Sequence, residues 1–114
     1  MPSKTNTYTL GTGDNIWKAL YATNIYETSD CRKKMHYCDL SSIIEFYDHL
    51  QPKAYTFIED NNNAVHFGFY AQEVEKVLQE SLPGQKFGII SKDKNNLNYS
   101  LHYSEFIALN TWQI

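Results

Sequence analysis

The sequence predicts an α+β fold, with a short β-rich leading segment over residues 1–28 and a small mixed domain of antiparallel strands and two or three helices over residues 29–114. Two observations point to the mixed domain. Val74, Val77, Leu78 and Leu82 recur at helical spacing, and the strand-like stretch after Lys53 is split by Asp60-Asn61-Asn62-Asn63 into two halves. A third observation points to the leading segment: residues 6–28 are rich in Thr, Tyr, Asn and Gly and carry only scattered apolar points. At 114 residues the chain reads as one domain, able to bury roughly two-thirds of its unfolded surface and so to build one modest core.

In the leading segment, Tyr8, Leu10, Ile16, Leu20, Tyr21 and Ile25 suggest short strands, and Gly11-Thr12-Gly13-Asp14-Asn15 reads as a turn. So few apolar residues cannot form a core alone, and Trp17 and Tyr21 need cover from neighbouring copies or the rest of the chain. After a polar joint at residues 28–39, Ile43, Ile44, Phe46, Tyr47 and Leu50 take helical spacing. Ser41 or Ser42 caps that helix, Glu45 completes a capping box if Ser42 is the cap, and Pro52 ends it. Residues 53–59 alternate as a strand, 60–63 turn, and 64–70 return with Val65, Phe67 and Phe69 on one face and His66 and Gly68 on the other. Residues 71–82 form the clearest amphipathic helix, stopped by Pro83-Gly84. Residues 86–91 read as a short strand, 93–96 as a turn and 97–102 as a further strand, and from Ser104 a last helix carries Phe106, Ile107, Leu109 and Trp112. The Met-Pro start on a polar segment and the end in mid-helix read as those of a piece cut from a longer protein.

Ten Lys and Arg against thirteen Asp and Glu leave a formal charge of −3. Nucleic-acid and anionic-membrane binders cluster their basic residues, and the one basic run here is the short Arg32-Lys33-Lys34. The apolar stretches, such as residues 106–109, fall far below the ~20 residues that span a bilayer, and none follows the first four residues. The expected protein is soluble and untargeted, with neither nucleic acid nor membrane as partner. Cys31 and Cys38 lie seven apart with no paired His at ligand spacing, so they read as free thiols rather than a disulfide framework or a zinc site. Gly11-Thr12-Gly13 lacks the pattern of a phosphate loop. No cofactor and no metal are expected.

Among candidate chemical groups, Glu73 and Glu75 diverge on their helix and fit a solvated face better than a paired acid and base. His36, His49, His66 and His102 are isolated in sequence, the usual situation of a hydrogen-bonded structural histidine. Ser29 and Lys34 can act as nucleophile and base if the lysine is held neutral, but a spacing of five in a polar joint does not by itself distinguish them from ordinary surface residues.

Four ordered blocks add a resemblance: Ser29-Asp30-Cys31-Arg32-Lys33-Lys34, Leu50-Gln51-Pro52-Lys53-Ala54-Tyr55, Phe67-Gly68-Phe69-Tyr70-Ala71-Gln72-Glu73-Val74-Glu75, and Tyr103-Ser104-Glu105-Phe106-Ile107-Ala108-Leu109. Together they resemble the C-terminal intramolecular chaperone domain of phage endosialidases, the peptidase S74 family, which also includes phage tail-fibre and neck-appendage proteins and the myelin regulatory factors. Residues 10–22 look like the strand-rich stalk that precedes this domain in phage fibres. The chain departs from the family pattern at Met35-His36, where Asn-Ile is more usual.

The resemblance implies an intertwined homotrimer that folds the β-stalk of its own precursor and is then released by self-cleavage before the motif serine. Carried onto this chain, the cleavage site is Thr28–Ser29, with Ser29 as catalytic nucleophile and Lys34 as base in a single-turnover reaction in cis. The base role asks the Lys34 ammonium to give up a proton, which burial or the charges of Arg32 and Lys33 in a trimer would favour. Asp30, Arg32, Gly68, Ala71, Gln72 and Glu73 are then structural members of the motif. Gly68 allows a close strand approach, Ala71 starts a tightly packed helix, and Gln72 satisfies buried backbone groups. Tyr99, Tyr103, Phe106 and Trp112 become core or trimer-interface residues. The same resemblance places assembly in the host cytoplasm and the parent fibre in the virion, the chaperone domain being released after cleavage. An interwound stalk has few intrachain contacts, so a domain that trimerises early offsets its loop-closure and association entropy. The rival expectation is a trimerising cap or adhesive fibre tip that does not cleave.

Overall fold

The computed structural model describes residues 1–42, 44–93 and 98–113. After an irregular arm come two 3₁₀ turns, Cys31–Lys33 and Leu40–Ser42, then helix α1 (Glu45–Asp48), strands β1 (Lys53–Tyr55) and β2 (His66–Gly68), and helix α2 (Ala71–Ser81). Strands β3 (Ile90–Lys92) and β4 (Tyr99–Leu101), a 3₁₀ turn at Tyr103–Glu105 and helix α3 (Phe106–Gln113) complete the chain. The strands form two separate antiparallel ribbons, β1 with β2 and β3 with β4.

The core is small and lies among the helices. The helical spacing of Val74 and Leu78 turns both into a cluster with Phe46 of α1, Ile89 just before β3, and Phe106 and Leu109 of α3. Phe69, at the exit of β2, stacks on Phe106 with ring centroids 4.7 Å apart and so ties the first ribbon to α3. The opposite flank of α2 is held by charge. Glu75 meets Lys92 at 2.7 Å and accepts a hydrogen bond from the Tyr99 hydroxyl, strapping α2 to both strands of the second ribbon. That bond holds the Lys92 ammonium above its ordinary pKa, against a smaller opposing effect of burial. Glu73 reaches Lys53 of β1 at 3.6 Å. Neither glutamate is simply solvated, which corrects the expectation from their divergent spacing; the basic partners come from strands remote in sequence.

Several expected elements shift. The helix expected after Ser41-Ser42 begins only at Glu45, with Ile44 at its N-cap and no side-chain capping bond, because residues 40–42 form a 3₁₀ turn instead. The Ser42 side chain and Ile43 lie outside the described residues, as do residues 94–97 of the expected turn and fourth strand. The strand expected at 86–91 is displaced to Ile90–Lys92, and the final helix is preceded by a 3₁₀ turn that starts at Tyr103. Of its aromatic residues only Phe106 is buried, whereas Trp112 is 52% and Tyr103 45% exposed.

The first ribbon keeps the expected alternation, with Phe67 on the outer face and His66 and Gly68 on the inner one. Phe67 is 83% exposed and pairs with Ala54 on the outer side, while His66 stacks on Tyr55 and Gly68 faces inward beneath Tyr103. The parity follows from Gly68. The Tyr103 hydroxyl bonds both the N–H (3.0 Å) and the C=O (3.2 Å) of Phe69, an approach that a Cβ at position 68 would obstruct. Once Gly68 must face Tyr103, alternation sends Phe67 outward. The close approach expected at Gly68 is thus made by a side chain rather than a strand.

The leading arm forms no strands, contrary to expectation. The turn at residues 11–15 does form, closed by Thr12 N–H to the Asn15 carbonyl, with Gly11 at φ +85° and Trp17 lying over it. Trp17, Leu20 and Tyr21 stay largely exposed, so the rest of the chain does not supply the missing cover. Strands need partners for their backbone groups, and the arm meets the domain only at isolated points, among them the bond from the Asn98 amide to Asp14.

Candidate active site

Ser29 and Lys34 would lie ~17 Å apart along an extended backbone. The 3₁₀ turn closes that gap. Asp30, in extended geometry, caps it by accepting the Arg32 N–H at 2.9 Å on Oδ1, while Lys33 N–H and Lys34 N–H bond the carbonyls of Asp30 and Cys31. Lys34 then leaves the turn in extended geometry and its Nζ donates to Ser29 Oγ at 2.7 Å. Both side chains of the pair are exposed within the single chain.

Arg32 braces the cap from the side. Its Nη2 donates to Asp30 Oδ2 at 2.7 Å and its Nε to Oδ1 at 3.1 Å, a bidentate grip. The Arg32 side chain first, and its backbone N–H second, hold the Asp30 carboxyl below the ordinary aspartate range. Asp30 and Arg32 therefore have a definite job here: they shape the turn that brings Lys34 back to Ser29.

The second block of candidate residues sits elsewhere, at the junction of β2 and α2. Ala71 opens α2 and is half-buried, as a tightly packed start requires, and Glu73 in the first turn both reaches Lys53 and complements the helix dipole. Gln72 departs from expectation: it is exposed, and no side-chain hydrogen bond joins it to another described residue. Tyr103 satisfies the Phe69 backbone groups instead. Among the described residues, no hydrogen bond or ion pair links this block to Ser29 or Lys34, and a groove of about 500 Å³ between α1 and α2 is lined by neither of the pair. Cys31 and Cys38 are both free thiols. No group of three or more His, Cys, Asp or Glu among the described residues is placed to hold a metal ion, and no helix among them is long and apolar enough to cross a membrane.

The family model Peptidase_S74, described as chaperone of endosialidase, matches residues 29–82. The match opens at Ser29 and takes in Lys34, both strands of the first ribbon and all of α2. No curated protein matches the chain.

Proposed function

We propose that this chain, whose residues 29–82 match the family model Peptidase_S74, described as chaperone of endosialidase, is an intramolecular chaperone which trimerises, folds the β-stalk ahead of it, and frees itself by cleaving Thr28–Ser29. The observation that carries the reading is the 2.7 Å contact between Lys34 Nζ and Ser29 Oγ, placed where the family match begins. A bond cleaved in cis needs no substrate cavity, in keeping with a pair that lies apart from the groove between α1 and α2.

The chemistry starts with a proton. Lys34 donates in the structure, so its ammonium must first shed one proton; the same short contact then lets Nζ take the hydroxyl proton of Ser29. Ser29 Oγ attacks the Thr28 carbonyl carbon, the C–N bond breaks, and the Ser29 nitrogen leaves as an amine after taking up a proton. Water hydrolyses the resulting ester, giving a Thr28 carboxylate and restoring the Ser29 hydroxyl at a new N-terminus. Removing the helper after assembly makes unfolding of the stalk hard to reverse, a kinetic form of stability. On this reading the chaperone works in the host cytoplasm, and the stalk it leaves behind goes into a phage fibre or appendage.

Intact mass of the native chain over time tests the chemistry. The wild type is expected to yield a piece running from Ser29 to Ile114, while Ser29→Ala and Lys34→Ala stay whole. Efficient cleavage in either variant removes that residue from the mechanism. A wild type that stays whole but trimerises makes the domain a non-cleaving cap.

A further inference from the structure

The segment before the proposed scissile bond is held by a contact that no sequence pattern announces. Glu27 Oε2 lies 3.5 Å from His102 Nε2 and accepts the Ser104 hydroxyl at 3.2 Å, while the other ring nitrogen, His102 Nδ1, lies 2.8 Å from Glu105 Oε2. His102 is a firm post for this purpose. Its backbone N–H bonds the Ile89 carbonyl at 2.8 Å and its own carbonyl receives Glu105 N–H, which sets the start of the 3₁₀ turn. The charged groups facing the ring are Glu27 from the arm and Glu105 from that turn; the neighbouring segment Phe87-Gly88-Ile89 carries none.

We infer that His102 is a positioning residue for the cleavage at Thr28–Ser29: its imidazolium latches Glu27 to the folded domain and thereby fixes the upstream side of the bond. This rests on the cleavage reading above. A neutral imidazole has one N–H and can serve only one of the two carboxylates, whereas the imidazolium donates from both nitrogens. The 3.5 Å contact to Glu27 is the longer and weaker of the two. Downstream, the turn capped by Asp30 already fixes the other side. With both flanks held and Ser29 Oγ bonded to Lys34 Nζ, the reacting groups are preorganised in the way that accelerates an intramolecular attack.

Two measurements on the full chain test the inference. In the uncleavable Ser29→Ala background, the backbone ¹⁵N order parameters of residues 27–30 should rise as pH falls from about 8 to about 5. Adding Glu27→Ala or His102→Ala should abolish that pH response. In the cleaving chain, either substitution should slow cleavage by about ten- to a hundred-fold at the acid end, with the ratio to wild type closing toward one at the alkaline end. The two variants break the same contact from opposite sides, and both residues are about half exposed, so neither should unfold the core. Unchanged order parameters, or wild-type cleavage rates with an unchanged pH profile, overturn the latch. A wild type that stays whole at every pH overturns the cleavage reading and the positioning role together, and the relaxation data then tell whether the contact itself exists.

Discussion

Around Ser29 the decisive features are short and polar. A single carboxylate, Asp30, accepts from the Arg32 backbone and side chain and so determines where Lys34 points. Its titration is accordingly diagnostic. Because the folded-state pKa is lowered, the contribution of Asp30 to the turn is complete above the ordinary aspartate value and is lost as pH falls through the depressed one. The Ser29–Lys34 contact should therefore persist on acidification until below about pH 4. NMR titration of the Asp30 carboxyl should give a midpoint under the ordinary range, and Arg32→Gln should raise it; a midpoint indifferent to that substitution contradicts the brace.

Between elements, the tightest constraint is the meeting of Gly68 with Tyr103. A Cβ at position 68 would run into the Tyr103 hydroxyl and come within 3.1 Å of its Cζ, so the ring must swing away and forfeit both bonds to Phe69. Gly68→Ala is expected to cost about 1–3 kcal/mol, as overpacking does. Tyr103→Phe removes the hydroxyl and should cost about 1 kcal/mol. Since the two changes share one contact, the double variant should be less destabilised than their sum. Urea unfolding of the four proteins checks this, and strict additivity would mean that the hydroxyl does not set the parity of β2.

For the molecule entire, surface is the telling quantity. The chain exposes 10339 Å², where a folded monomer of its 13.3 kDa mass exposes about 6,500 Å². Its radius of gyration is 16.2 Å against about 13 Å for a compact chain of this length. Much of the excess is apolar: Leu10, Ile16, Trp17, Leu20 and Tyr21 on the arm, and Ile58 and Phe67 on the first ribbon. Surfaces of that kind favour association, which supports the proposed trimer. Sedimentation equilibrium should find a species of three times the chain mass; a monomer at micromolar concentration would remove the trimer from the proposal.

The boundaries of α2, the turn at residues 11–15 and the pairing of the first ribbon were legible from periodicity and turn chemistry, because these depend on neighbours a few residues away. Ser29 and Lys34 stood out in the sequence only through the family resemblance; the capped turn that brings them together was not legible from their spacing. The outward facing of Phe67 was not legible either, because it is imposed by Tyr103, far along the chain from Gly68. Nor was the link of Glu27 to His102 and Ser104, whose members look unremarkable in sequence and meet only when the last ribbon and the turn at Tyr103–Glu105 fold against the arm. Local spacing carries information about local geometry; contacts across 34 or 77 residues exist only once packing has fixed which surfaces face each other.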